Sequence, residues 1–134
     1  MRRTTVLSVT LLAAALTLAC GEPTSPLDIV GTYTLQSVNG LPLPFTLQQY
    51  GATKIEVLDD MLFLASSSSY SAVGHKQITS NGFVTLSAPV DAGTFSRRGD
   101  VIAMESLLVG HWEGTIQRRS LTLVQQGYTL VYTR

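Results

Sequence analysis

The chain has 134 residues with 9 basic and 9 acidic side chains, so only 13% are charged, about half the usual share of a soluble domain. Without residues 1–19, 115 residues remain with 7 basic and 9 acidic groups, a net charge of −2. This fits one small domain, offers no basic footprint for nucleic acid, and with a single cysteine allows no internal disulfide and no cysteine-based metal site.

The first element is an export signal. Residues 1–19 run from a basic start at Arg2 and Arg3 through an apolar stretch, Val6 to Leu18, to the small residue Ala19. That stretch is too short and too N-terminal for a resident transmembrane helix. Cys20 follows directly, and the sequence Thr17-Leu18-Ala19-Cys20 resembles the lipobox of bacterial lipoproteins. The resemblance implies an acylated Cys20 as mature N-terminus, anchored in a membrane at about 0.8 kcal/mol per buried methylene. With Gly21 rather than Asp after the cysteine, it implies an outer-membrane address facing the periplasm or the cell surface. The alternative is a simple secreted protein in which Cys20 is incidental. Residues 20–28, bearing Pro23 and Pro26, read as the lipidated cysteine and its tether.

From residue 29 to 134 the apolar pattern has period two, as in strands with one face inside. Twelve Ser and twelve Thr among the 115 residues disfavour long helices. Turn signals recur at Asn39-Gly40, Asp59-Asp60, Asn81-Gly82, Gly99-Asp100, Arg118-Arg119 and Gln126-Gly127. The strands are expected at 30–38, 53–58, 61–65, 69–78, 83–88, 92–97, 100–106, 111–117, 120–125 and 128–133. Leu41-Pro42-Leu43-Pro44 should break any ladder and cross an end of the sheet. The helical competitor, Asp100 to Gly110, is expected to be strand in its first half. The candidate core is Tyr33 and Leu35, Ile55 and Val57, Leu62 and Leu64, Val84 and Leu86, Phe95, Ile102 and Met104, Trp112 and Ile116, Leu121 and Leu123, and Leu130 and Tyr132.

A repeat organises the second half. Gly93-Thr94-Phe95-Ser96-Arg97-Arg98 followed by Gly99-Asp100-Val101 aligns with Gly114-Thr115-Ile116-Gln117-Arg118-Arg119 followed by Ser120-Leu121, and Gly31-Thr32-Tyr33 is a partial third copy. Each full copy reads as strand, basic turn, strand. A reused hairpin predicts an all-β fold, an antiparallel up-and-down meander of about eight to ten short strands closing into a small barrel. Strands of about six residues make a shallow barrel, with a filled core or a small open cavity.

Gly31-Thr32-Tyr33-Thr34-Leu35-Gln36-Ser37-Val38-Asn39-Gly40, with Leu43-Pro44 behind it, resembles the opening of small bacterial lipocalin-like domain lipoproteins. A more distant likeness is to META-type domain lipoproteins. The first resemblance implies a lipocalin-like β-barrel over 29–134. It also implies a barrel-closing pair in which Arg134, on the last strand, packs across Tyr33, where Trp is usual.

Chemistry is sparse. His75 and His111 are the only histidines. In a strand His111 and Glu113 share a face, and a metal there would need His75 or Glu105 as a further ligand; the plainer reading is an exposed face opposite a buried Trp112. Asp59-Asp60 reads as a hairpin turn, and Ser66 to Ser69 lacks a nucleophile elbow or a base. No cofactor signature is present. Arg97, Arg98, Arg118 and Arg119 would sit on two adjacent hairpin tips, a basic patch for surface interaction with anionic headgroups or glycans, or merely solubilising tips. The expectation is a non-enzymatic binding or interaction module of the cell envelope, for a small apolar ligand. The alternative is a structural accessory protein with a filled core and a protein, glycan or lipid-headgroup contact.

Overall fold

The structure, a computed structural model, describes residues 26–134. A 3-10 turn, Pro26–Ile29, leads into eleven strands: β1 (Gly31–Val38), β2 (Leu41–Pro42), β3 (Phe45–Tyr50), β4 (Thr53–Leu64), β5 (Ser69–Ser80), β6 (Phe83–Ser87), β7 (Val90–Arg98), β8 (Val101–Ser106), β9 (Gly110–Gln117), β10 (Ser120–Gln125) and β11 (Tyr128–Thr133). All pairings are antiparallel. Eight strands form a closed ring, β1-β4-β5-β7-β8-β9-β10-β11, sealed where β1 pairs with β11 on one side and β4 on the other. This is an up-and-down barrel with three extra strands, the architecture of a small lipocalin-like barrel.

Two of the extra strands, β3 and β6, arise because β4 and β5 outrun the barrel. Their near halves pair with β1 and β7, through Gly31↔Leu64 and Ser69↔Thr94. Their far halves pair with β3 and β6, through Tyr50↔Thr53 and Ser80↔Phe83. A four-stranded flap, β3-β4-β5-β6, therefore extends one wall. Asn39-Gly40, Asn81-Gly82 and Gln126-Gly127 each place two successive residues at positive φ, the geometry that lets a two-residue turn match strand twist.

Three expectations need correction. Asp59-Asp60 is not a turn: the expected strands 53–58 and 61–65 are one strand, β4, with a register shift between Val57 and Asp59 that bends it where barrel becomes flap. The Leu41-Pro42-Leu43-Pro44 segment does not simply cross the sheet end. Leu41–Pro42 is a short edge strand on β1, where the missing proline N–H costs no ladder bond, and Phe45 starts β3. Val84 and Leu86 are not core but 59% and 67% exposed, because β6 lies on the flap, at its edge. Ile29, Val38 and Tyr70 join the core instead.

The repeat has a steric cause. A Cβ on Gly93 would lie 1.8 Å from the Glu105 carbonyl oxygen, and one on Gly114 would lie 2.0 Å from that of Thr122. Each hairpin of the repeat needs a glycine where neighbouring backbone closes onto the inward face.

Candidate functional site

The two barrel ends differ. One end is filled by Tyr33, Leu62, Leu64, Ile102, Ile116 and Leu121, all at most 1% exposed. Here Arg134 and Tyr33 meet: the guanidinium lies 5.7 Å from the ring centroid, its Nη1 donates to the Val30 carbonyl at 2.7 Å, and the Tyr33 hydroxyl donates to the Ile29 carbonyl at 2.8 Å. Burial raises the Tyr33 pKa.

The four repeat arginines are also at this end, in unequal roles. The Arg97 side chain follows the inward phase of Phe95, is 8% exposed, and donates to Asp28 at 2.6 Å and to the Gly99 carbonyl. It ties the N-terminal 3-10 turn to the barrel floor. Arg98, Arg118 and Arg119 flank the two exposed tips, and the Asp100 carbonyl of the first tip accepts from the N–H of Ile116 in β9 at 2.7 Å. Cys20 and the signal segment lie outside the described residues.

The other end is open. A cavity of about 510 Å3 occupies the mouth beneath the flap, lined by Leu35, Val38 and Leu130 from the barrel and by Leu47, Ile55 and Ile78 from the flap. The Tyr128 hydroxyl donates to the Leu47 carbonyl at 3.2 Å, and Phe45 meets the Tyr128 ring edge-on at 6.1 Å, so the flap leans on β11. Rim residues Leu108 and Val109 are positioned by their N–H groups, which donate to Ser106 Oγ.

Polar groups are few and placed within this apolar lining. Ser106 Oγ donates to Asp91 Oδ1 at 2.7 Å and the Tyr70 hydroxyl donates to Asp91 Oδ2 at 2.9 Å. The Tyr132 hydroxyl donates to Asp60 Oδ2 at 3.1 Å, whereas Asp60 Oδ1 is buried with no hydrogen-bond partner among the described residues. Burial raises the Asp60 pKa, against the opposing pull of the Tyr132 hydrogen bond, and burial likewise raises Tyr70 and Tyr132. Trp112, 7% exposed and edge-on to Tyr70, is a second wall residue whose buried Nε1–H has no partner among the described residues. Each such orphan costs about 1–3 kcal/mol.

These carboxylates were missed as site residues, yet the pattern holds a signal for them. Asp60 is in phase with Leu62 and Leu64, and Asp91 with Phe95, so both point inward once the strands are correctly bounded.

The histidines lie apart. His75 Nδ1 pairs with Asp59 at 2.6 Å at the start of the flap. His111 Nδ1 pairs with Glu105 at 2.5 Å and its Nε2 meets Glu113 at 3.3 Å. One carboxylate lies on each ring nitrogen, so they do not converge on one point, and among the described residues no three His, Cys, Asp or Glu side chains are disposed to hold a metal. A scan against protein-family models and a search of curated proteins found no match.

Proposed function

We propose that the protein is a non-catalytic binding module of the cell envelope, held to a membrane by an acylated Cys20, that takes a small apolar ligand into the barrel mouth. The observation carrying this reading is the cavity of about 510 Å3, a volume within the usual range for small-molecule sites, with mostly apolar walls and a few inward polar groups. The filled end makes the barrel rigid, and the flap supplies a second apolar wall.

Trp112 is the only tryptophan and lines the cavity, so its emission reports occupancy. Titration with 1-decanol below its solubility limit should give a saturable, one-to-one change in Trp112 emission. A linear, unsaturable response would contradict the reading.

A second reading, contact with an anionic surface, is favoured by the closed end. Arg98, Arg118 and Arg119 cluster where the chain arrives through Pro26–Ile29, the side from which a Cys20 anchor would hold the domain. Phosphate contacts there contribute about 1 kcal/mol per charge. Co-sedimentation with phosphatidylglycerol vesicles should weaken when all three are changed to Gln; unchanged binding, or none by the wild type, would exclude it.

A further inference from the structure

We infer that the cavity selects a cationic amine carried on an apolar body, with the Asp60 carboxylate as its counter-charge. This rests on the proposed ligand-binding reading and adds the chemistry of the ligand's polar end.

Four charged side chains line the cavity, Asp59, Asp60, Asp91 and Lys76, three acidic and one basic. They are not equally available. Asp59 is engaged by His75, and both oxygens of Asp91 are taken by Tyr70 and Ser106. Of these four, only Asp60 keeps a buried oxygen with no hydrogen-bond partner among the described residues. That oxygen is enclosed by protein atoms, where an unmatched polar atom is costly. Asp60 lines the cavity, so its carboxyl group is offered to an occupant while Tyr132 holds the other oxygen. A ligand N–H there replaces a missing hydrogen bond with a charge-assisted one, the stronger kind.

A second observation marks the same walls as incomplete. Trp112 is more than nine-tenths buried, lines the cavity, and its Nε1–H has no acceptor among the described residues. One acceptor and one donor in the walls of one apolar cavity are without partners among the described residues, and a cationic amine matches the acceptor. Lys76 is the argument for an anionic ligand instead. Its ammonium sits on a flexible stem and pulls on Asp60, so it is a poorer fixed point than the carboxylate held by Tyr132.

The test uses three probes with one ten-carbon chain: decylamine, 1-decanol and decanoate, each titrated at pH 7 below its micelle concentration and read by Trp112 emission. The amine should bind at least about tenfold tighter than the alcohol, and the carboxylate at least about tenfold weaker. Asp60→Asn should bring the amine to within about threefold of the alcohol.

Equal binding of amine and alcohol, or tightest binding of decanoate, would overturn the amine assignment and leave the apolar-ligand reading standing. Saturable binding of none of the three would overturn both. The ranking in the wild-type chain decides the matter even if the Asn variant does not fold.

Discussion

Tyr132 and Asp60 link the two neighbours of β1: the hydroxyl from the last strand donates to Oδ2 of the β4 carboxylate at 3.1 Å, and Oδ1 is buried with no partner among the described residues. A half-buried carboxylate with one enclosed, unmatched oxygen is a stability cost that a purely structural core would shed by using an apolar side chain. Its retention in an apolar wall is the physical basis for treating the mouth as a site.

The sign of that cost is measurable. Burial raises the Asp60 pKa above the ordinary 3.8, so the folded state holds this proton more tightly than the unfolded chain. Asp60's contribution is therefore most favourable below the ordinary value and is lost as pH rises through the raised one. The stability of Asp60→Asn relative to wild type should rise with pH across that window, in urea unfolding at successive pH values. A difference that is flat or falls with pH would contradict this.

His111 works in the opposite charge sense at the surface. Hydrogen bonds that its ring N–H groups donate to Glu105 and Glu113 raise its pKa above 6.5, so the stability it gains is fully present below the ordinary value and fades as pH rises through the raised one. Its ring-proton NMR titration should show a midpoint above 6.5 that falls in Glu105→Gln; an unchanged midpoint in that variant would show the pairing to be ineffective.

The repeat glycines allow a sharper mutational test. Gly93→Ala and Gly114→Ala each drive a Cβ into backbone carbonyls at 1.8 and 2.0 Å. Each should cost about 3 kcal/mol or more, read as a fall in urea midpoint. A cost below about 1 kcal/mol would mean that the hairpins shift freely.

The two ends should respond differently to truncation. Ile102→Ala, at a fully buried position of the filled end, should cost about 2–5 kcal/mol. Leu108→Ala, 75% exposed on the rim, should stay within about 0.5 kcal/mol. Similar losses at both sites would contradict the filled-end, open-end description.

Much of this architecture is written in period-two alternation and turn chemistry. Asn39-Gly40, Asn81-Gly82 and Gln126-Gly127 mark real turns, and Leu121, Leu123, Ile102 and Met104 mark inward faces of the ring. The flap was illegible for a local reason. Asp59-Asp60 has the composition of a turn, but cross-strand pairing with His75 and Gly74 carries the chain straight through, a tertiary override of local preference. Reading a turn there hid the inward phase of Asp60, and with it the site. Val84 and Leu86 alternate as core residues would, but alternation cannot tell a barrel wall from a projecting edge strand, because that depends on what covers the face.

The central claim, that the mouth holds a small molecule, is tested most directly by native mass spectrometry of the full chain expressed in its own source and purified without detergent. The account predicts a one-to-one adduct with an apolar, amine-bearing small molecule, released by organic extraction. Only the bare protein mass, with nothing recovered in the extract, would contradict it.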